Sequence, residues 1–306
     1  MGIVDFILNL VALLLWFNWR TARFDPLAGS TPATLAGTLR RASAPTLKSW
    51  LLPLSIPFLL LLRALFYWQI GGALGWTGRI DIGVIALPFW CDSSVAGLGR
   101  MLLFSFYSFA VMLVVFNLWL LLLSILKSAN TNGDSFRQLL RAHLGRLETW
   151  PWWLKLLLPL LVITPAWWLA SWPLTATGVL PDPVTVWRRL AQSALVGAGS
   201  YLCWKFFITG LLALYFVSNY VFFGRHPFWQ HLNEIGQQLL RPLRWIPLRI
   251  SRLDFSPMIG IALVLLLAHA LEHGISSPRR FDRRGKELPR SVEIPGLVDL
   301  YRQVSS

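Results

Sequence analysis

The chain has 306 residues, of which 55% are hydrophobic and only 14% are charged, and its mean hydropathy is +0.56. A soluble globular domain carries about 25% charged residues, so this composition excludes a fold whose surface faces water on all sides. The formal net charge of +14 is spread through loops between apolar segments, which favours contact with anionic lipid headgroups and argues against nucleic-acid binding.

Six apolar segments are candidates for membrane-spanning helices, since a crossing needs roughly 20 apolar residues. In chain order they are residues 5–19, 49–78, 101–126, 156–180, 190–224 and 255–271. The first is the weakest, and it fits either a span or an interfacial helix. We keep it in the mature chain because no basic region or small-residue cleavage site accompanies it. We therefore predict an all-α membrane protein with about six transmembrane helices.

The segments pair into three units of similar layout, at residues 1–75, 98–175 and 190–273. In each unit, a polar segment with an amphipathic stretch connects two apolar helices. Landmarks such as Phe136 and Phe228 recur at a nearly constant spacing, which favours an internal repeat. A six-span protein with regularly spaced helices is the alternative. Residues 274–306 form a basic C-terminal tail that we expect to be poorly ordered.

The polar segments of the second and third units contain helical faces of apolar residues. The members lie at helical spacing, and they are Phe136, Leu139, Leu140, His143, Leu144 and Leu147 in one unit and Phe228, Leu232, Ile235, Leu239 and Leu243 in the other. We expect these helices to lie in the membrane surface with the apolar side down. Packing against the transmembrane helices fits the same pattern.

The distribution of cations predicts the orientation in the membrane. Most loop cations, Lys155 among them, lie inside the units, whereas the loops between units hold only Arg79, Arg100, Arg188 and Arg189. By the positive-inside rule, the segments inside the units face the cytoplasm and the N-terminus lies outside. Six spans would place the basic tail outside as well, so either the tail is translocated, which we favour, or the last apolar segment does not cross. We expect a bacterial cytoplasmic (inner) membrane.

One segment of the third unit carries a recognisable motif. It reads Leu240-Arg241-Pro242-Leu243-Arg244-Trp245-Ile246-Pro247, then Leu253-Asp254-Phe255-Ser256-Pro257, and an apolar helix follows. Over about residues 219–271, the chain resembles the YggT family of small bacterial and plastid membrane proteins. This resemblance implies membrane residence and a role in envelope biogenesis, division or the assembly of cofactor proteins.

The motif also has a physical interpretation of its own. Ser256 is suited to cap a helix, and Pro257 fits the first turn, where no backbone N–H is needed. Asp254 is placed to pair with a nearby arginine. The candidate site for a lipid phosphate or a partner protein consists of Arg241, Arg244, Arg252 and Asp254.

Two cations, Arg63 and Lys205, interrupt the apolar segments, and intramembrane charge is often functional. A transport role would require a carboxylate at similar depth, and we expect none because every Asp and Glu lies near the end of a span or in a loop. Helix pairing or extension of the side chain towards the interface explains both cations.

His269, Glu272 and His273 form an H-x-x-E-H sequence, the pattern of some zinc-binding helices. No third ligand follows it, and a helix end at the interface explains these residues, so we assign no catalytic residue, cofactor or metal. The leading hypothesis is a non-enzymatic assembly or organising factor whose partners are the lipid bilayer, anionic headgroups and other membrane proteins. The alternative is a small transporter or channel component, and a metal-dependent membrane hydrolase is a remote third.

Overall fold

The computed structural model describes residues 2–23, 51–92, 94–126, 140, 143–183, 185–221, 227–245, 249–250, 253–276 and 292–305. Among these residues, six helices are long and apolar enough to cross a membrane. This confirms the predicted all-α membrane class. Within the same described ranges, three short two-stranded sheets, which the sequence did not predict, accompany the helices.

The helices of the described residues are α1 (Gly2–Arg23), α2 (Leu51–Gly71), α3 (Val95–Ile125), α4 (Trp152–Ala176), α5 (Val186–Gly199), α6 (Trp204–Tyr220), α7 (Pro227–Leu239), α8 (Ser256–His273) and α9 (Leu297–Ser305). Short 3-10 turns occupy Gly145–Thr149, Ser200–Cys203 and Arg241–Trp245. The paired strands are β1 (Thr77–Asp81) with β2 (Ala86–Trp90), β3 (Arg249–Ile250) with β4 (Leu253–Asp254), and β5 (Gly274–Ser276) with β6 (Val292–Pro295).

The described chain divides into two compact units. The first comprises Met1–Ile80, Pro88–Asn117 and Ser135–Glu148, and the second comprises Asp81–Leu87, Leu118–Asp134 and Thr149–Ser306. This division does not follow the three units that the sequence suggests. In the second compact unit, α4 packs extensively against α5, although the two helices belong to different predicted units. The three-unit repeat therefore stays a prediction.

Two helix starts share one arrangement of side chains. A hydroxyl accepts a hydrogen bond from the backbone N–H three residues later, and an Asp–Arg ion pair joins the preceding loop to the helix. At α3 the residues are Ser94 with the pair Asp92–Arg100 (2.8 Å), and at α5 they are Thr185 with the pair Asp182–Arg189 (2.9 Å). Such caps satisfy N–H groups that the helix itself leaves without acceptors.

The longest helical segment of the described residues lies in the second compact unit. α5, the 3-10 turn Ser200–Cys203 and α6 follow one another with helical backbone throughout, and we call Val186–Tyr220 the long helix. Its 35 residues extend about 52 Å at 1.5 Å per residue, whereas a hydrocarbon core is about 30 Å thick. α4 packs along the first half and α8 along the second. The long helix is therefore tilted in the membrane or extends beyond the core.

The amphipathic stretches pack against other helices. Leu140, His143 and Leu144 are buried in the first compact unit, and Leu232 and Ile235 of α7 are buried in the second, where α7 packs on α6. These residues therefore support the alternative, packing against protein, while Phe228 of the same predicted face is 52% exposed. A helical period identifies the apolar face, but it does not say whether lipid or protein covers that face. Phe136 and Leu139 lie outside the described residues.

The C-terminal tail is more ordered than the sequence suggested. β5 and β6 pair, Gly274 has φ +73°, and the backbone at Gly296 crosses the end of α8 so closely that a side chain there would collide with it. α9 packs on α5 and α8 and buries Tyr301, and this burial raises the pKa of the Tyr301 hydroxyl to about 12. Residues 274–276 and 292–305 therefore form packed elements, while residues 277–291 lie outside the described part and their predicted poor order stays a prediction.

Candidate functional site

A buried polar cluster surrounds Arg63 in the first compact unit. The Arg63 side chain, only 1% exposed, forms an ion pair of 2.7 Å between Nη2 and Asp5 Oδ1. Its Nη1 donates to Asn9 Oδ1, also at 2.7 Å. Asp5 and Asn9 lie one turn apart on α1, and Arg63 lies in the middle of α2. The ion pair therefore joins α1 to α2.

Two hydroxyl groups complete what we call the Arg63 cluster, which consists of Asp5, Asn9, Arg63, Tyr67 and Ser108. The Tyr67 hydroxyl donates to Asp5 Oδ1 at 2.6 Å, and Asn9 Nδ2 donates to Ser108 Oγ at 2.7 Å. Arg63 Nη2 also lies 3.3 Å from Ser108 Oγ. Because Ser108 lies on α3, the cluster connects three helices.

Aromatic rings enclose the guanidinium of the Arg63 cluster. The guanidinium carbon lies 5.7 Å from the centre of the Tyr67 ring and 5.1 Å from that of Phe104, which are cation–π distances. Hydrogen-bonding side chains and aromatic rings thus enclose this charge.

Both intramembrane cations have carboxylate partners, contrary to our expectation. Lys205 of α6 forms an ion pair of 2.6 Å with Glu272 of α8, and Asp5 pairs with Arg63. Each carboxylate lies near a helix end, as the sequence indicated. In each pair, the acid near the end of one helix lies beside the cation of its neighbour. Helix pairing is therefore the interpretation that the structure supports for Arg63 and Lys205.

The Lys205–Glu272 pair is more open than the Arg63 cluster. The two side chains are 18% and 21% exposed, and the Lys205 ammonium lies 5.1 Å from the Phe206 ring. On the same helix as Glu272, the rings of His269 and His273 stack with centroids 4.6 Å apart. Within the described part of the chain, no group of three His, Cys, Asp or Glu residues is arranged to hold a metal.

The YggT-like segment is organised around Asp254. Its Oδ1 accepts hydrogen bonds from the backbone N–H and the hydroxyl of Ser256, while its own N–H donates to the Tyr220 hydroxyl at 3.0 Å. Phe255, not Ser256, occupies the N-cap position of α8, and Pro257 lies in the first turn as expected. The prediction that Ser256 caps the helix is therefore wrong, because its hydroxyl donates to the Asp254 carboxylate.

The arginines of the predicted binding site are described only in part. Arg241 is exposed on a 3-10 turn that follows α7. The side chain of Arg244 and the whole of Arg252 lie outside the described residues. Pairing of Asp254 with one of these arginines therefore stays a prediction.

Comparison with known proteins does not extend the resemblance. No family model matches the chain, and no curated protein or solved structure is detectably similar to it. The similarity to the YggT family therefore depends on the motif around Arg241 and Asp254 alone.

Two polar groups from the predicted polar segments are buried. Lys155 is buried in the first turn of α4, and its Nζ donates to Ser124 Oγ at 2.8 Å. The His143 ring stacks on Phe17, and its carbonyl accepts a hydrogen bond from Arg20 at 2.8 Å. Burial, followed by the charge of Arg20, lowers the pKa of His143. We therefore expect His143 to be neutral at physiological pH.

Proposed function

We propose that the chain is a non-enzymatic integral membrane protein of the YggT type that assembles or organises other membrane proteins. We place it in the bacterial cytoplasmic (inner) membrane with the N-terminus outside. The closed Arg63 cluster supports this proposal, because it uses intramembrane charge to hold α1, α2 and α3 together.

The energetics of buried ion pairs favour a structural role for this cluster. Burying a salt bridge adds little net stability, because desolvation offsets the attraction between the charges. A buried polar contact nevertheless selects which helices pair, since each group would be unsatisfied in lipid. The Arg63 cluster therefore fixes the order of helices in a scaffold, which is what a protein that positions others requires.

A cation-rich segment supplies the proposed contact surface. Arg241 is exposed beside the end of α7, and Arg244 and Arg252 follow in the sequence. Each Lys or Arg near an anionic membrane surface contributes roughly 1 kcal/mol of attraction. We propose that this segment binds lipid headgroups or an acidic surface of the partner protein on the cytoplasmic side.

Purification after cross-linking in native membranes tests this proposal. We expect the tagged full-length chain to retain one stoichiometric membrane protein in mild detergent. Arg241→Glu should lower the recovery of that partner at least severalfold by reversing an exposed charge. Arg188→Glu is the matched control, because it reverses an exposed charge at the start of α5, on the predicted opposite side. Recovery of the cross-linked chain alone and monodisperse would count against the proposal.

A transporter is the second candidate, and the Lys205–Glu272 pair favours it. A partly exposed ion pair between two apolar helices is an arrangement that proton and ion pathways use. If the chain transports ions, reconstituted vesicles should show flux under an ion or proton gradient, and Lys205→Ala should abolish it. The Arg188→Ala variant controls for loss of a charge at a helix end. Vesicles that show no flux under any gradient would remove this candidate.

A further inference from the structure

The turn between β1 and β2 is seated on the middle of the long helix. Gly83 has φ +68°, and a Cβ atom added there would lie 3.2 Å from the Gly199 carbonyl oxygen. The buried side chain of Val84 occupies the space that a side chain at Gly199 would need. The absence of a side chain at Gly199 therefore allows the hairpin turn to approach the helix backbone.

Tryptophans on α4 indicate how deep this contact lies in the membrane. Trp152 and Trp172 are 66% and 55% exposed, near opposite ends of α4. Their 20-residue separation corresponds to about 30 Å, the thickness of a hydrocarbon core. Exposed tryptophans concentrate at membrane–water interfaces. Trp152 and Trp172 therefore mark the two boundaries of a bilayer crossing.

Contacts between α4 and α5 show at which depth in the bilayer each part of the long helix lies. The Arg189 guanidinium lies 4.6 Å from the centre of the Trp172 ring, which aligns the start of α5 with one boundary. Gly197 packs directly against Thr164, a residue close to the midpoint between the two tryptophans. Gly199 follows half a turn later. The hairpin turn therefore contacts the long helix near the middle of the bilayer.

A β-hairpin at this depth requires water or protein around its edges. The sheet has only two strands in the described chain, so each strand has an outer edge whose N–H and C=O groups lack a ladder partner. Lipid tails offer these groups no hydrogen bonds, and non-helical backbone is tolerated at depth only within protein or beside water. Asp81 and Ala86 are exposed on either side of the turn. Lipid is a costly environment for an exposed carboxylate even where it has a partner, and water lowers that cost.

We propose that residues 81–87 form a re-entrant turn that lines a water-filled vestibule. The vestibule admits water and small hydrophilic solutes to about mid-depth. This inference is independent of the proposed organising role, because it concerns solvent access and not the identity of a partner.

Cysteine labelling in vesicles tests the vestibule. Cys91→Ser and Cys203→Ala first remove the native thiols. Single cysteines then replace Ala86 at the turn, Val162 on α4 and Val186 at the start of α5. The side chain of Val162 is 54% exposed at a similar depth, so it is the matched lipid-facing control, and Val186 is the aqueous control. The probe is a charged, membrane-impermeant thiol reagent added to both sides of the membrane.

We expect Ala86→Cys to react at a rate comparable with Val186→Cys. Val162→Cys should react at least about 100-fold more slowly, because only the thiolate reacts and lipid disfavours ionisation. Equal rates for Val162→Cys and Ala86→Cys would overturn the assignment of depth. If Ala86→Cys is unreactive in vesicles but reactive after denaturation in detergent, the vestibule does not exist.

A cross-link tests whether the turn is seated on the long helix. Val84→Cys combined with Gly199→Cys places two thiols in direct contact, so mild oxidation should join them in most molecules. Val84→Cys combined with Gly210→Cys is the control, because Gly210 lies further along the same helix with open space beside it. If the first pair fails to cross-link while both thiols react with a permeant reagent, the turn is not seated at this depth and the proposal fails.

Discussion

Replacing Arg63 by methionine is expected to lower the free energy of unfolding by about 3–5 kcal/mol, the typical cost of removing one partner from a buried ion pair. The substitution leaves the Asp5 carboxylate without its counter-charge and removes the donor to Asn9. Unfolding of the purified protein in detergent, induced by heat or denaturant, measures the loss of stability. We expect the variant to aggregate at lower temperature than the native chain.

A double variant separates the ion pair from simple loss of packing. Asp5→Asn combined with Arg63→Met removes both charges, and it should recover most of the stability that Arg63→Met loses, since pairs replaced together are often nearly neutral. Leu62→Met is the matched control on the exposed side of α2, and it should change stability by less than about 0.5 kcal/mol. Asp5→Asn alone completes the cycle. If the losses of stability of Asp5→Asn and Arg63→Met simply add in the double variant, Asp5 and Arg63 do not interact.

The second large effect is expected at Gly197, where α5 meets α4. A side chain at this position would collide with Thr164 of α4, so Gly197→Leu must separate the two helices. Overpacking of this kind costs roughly 1–3 kcal/mol, and close helix contacts in membranes depend on small residues. A lower unfolding temperature in detergent would report the change.

Gly210→Leu is the control for the glycine substitution. Gly210 lies on the same long helix but has open space beside it. Leucine there should be tolerated, and it should even favour the helix, since glycine lowers helix stability by about 1 kcal/mol relative to alanine. Equal losses at Gly197 and Gly210 would show that helix propensity, and not contact with α4, determines the result.

Hydropathy predicted the six spans because it depends only on local composition and length. The partners of Arg63 and Lys205 were missed because they depend on the register between neighbouring helices. Asp5 precedes Arg63 by 58 residues and Glu272 follows Lys205 by 67, so no local pattern connects them. A search that pairs each cation inside an apolar segment with an acid near the end of another segment would have considered both pairs.

The β1–β2 hairpin did leave a signal in the sequence. Ile80 on β1, and Leu87 and Phe89 on β2, are buried, while the residues that alternate with them along each strand are exposed. This alternation, with Gly83 between the runs, is typical of a hairpin. Hydropathy nevertheless indicates a loop here, because the segment is short and lies between much longer apolar runs. Which helix the turn contacts depends on tertiary packing and was not predictable.

The Arg63 cluster also constrains biosynthesis. Asp5 precedes Arg63 by 58 residues and leaves the ribosome first, so it meets the membrane without its cation. An isolated carboxylate resists burial among lipid tails, and the cost falls when the opposite charge arrives on the neighbouring segment. α1 and α2 are therefore suited to enter the bilayer together as a helical hairpin.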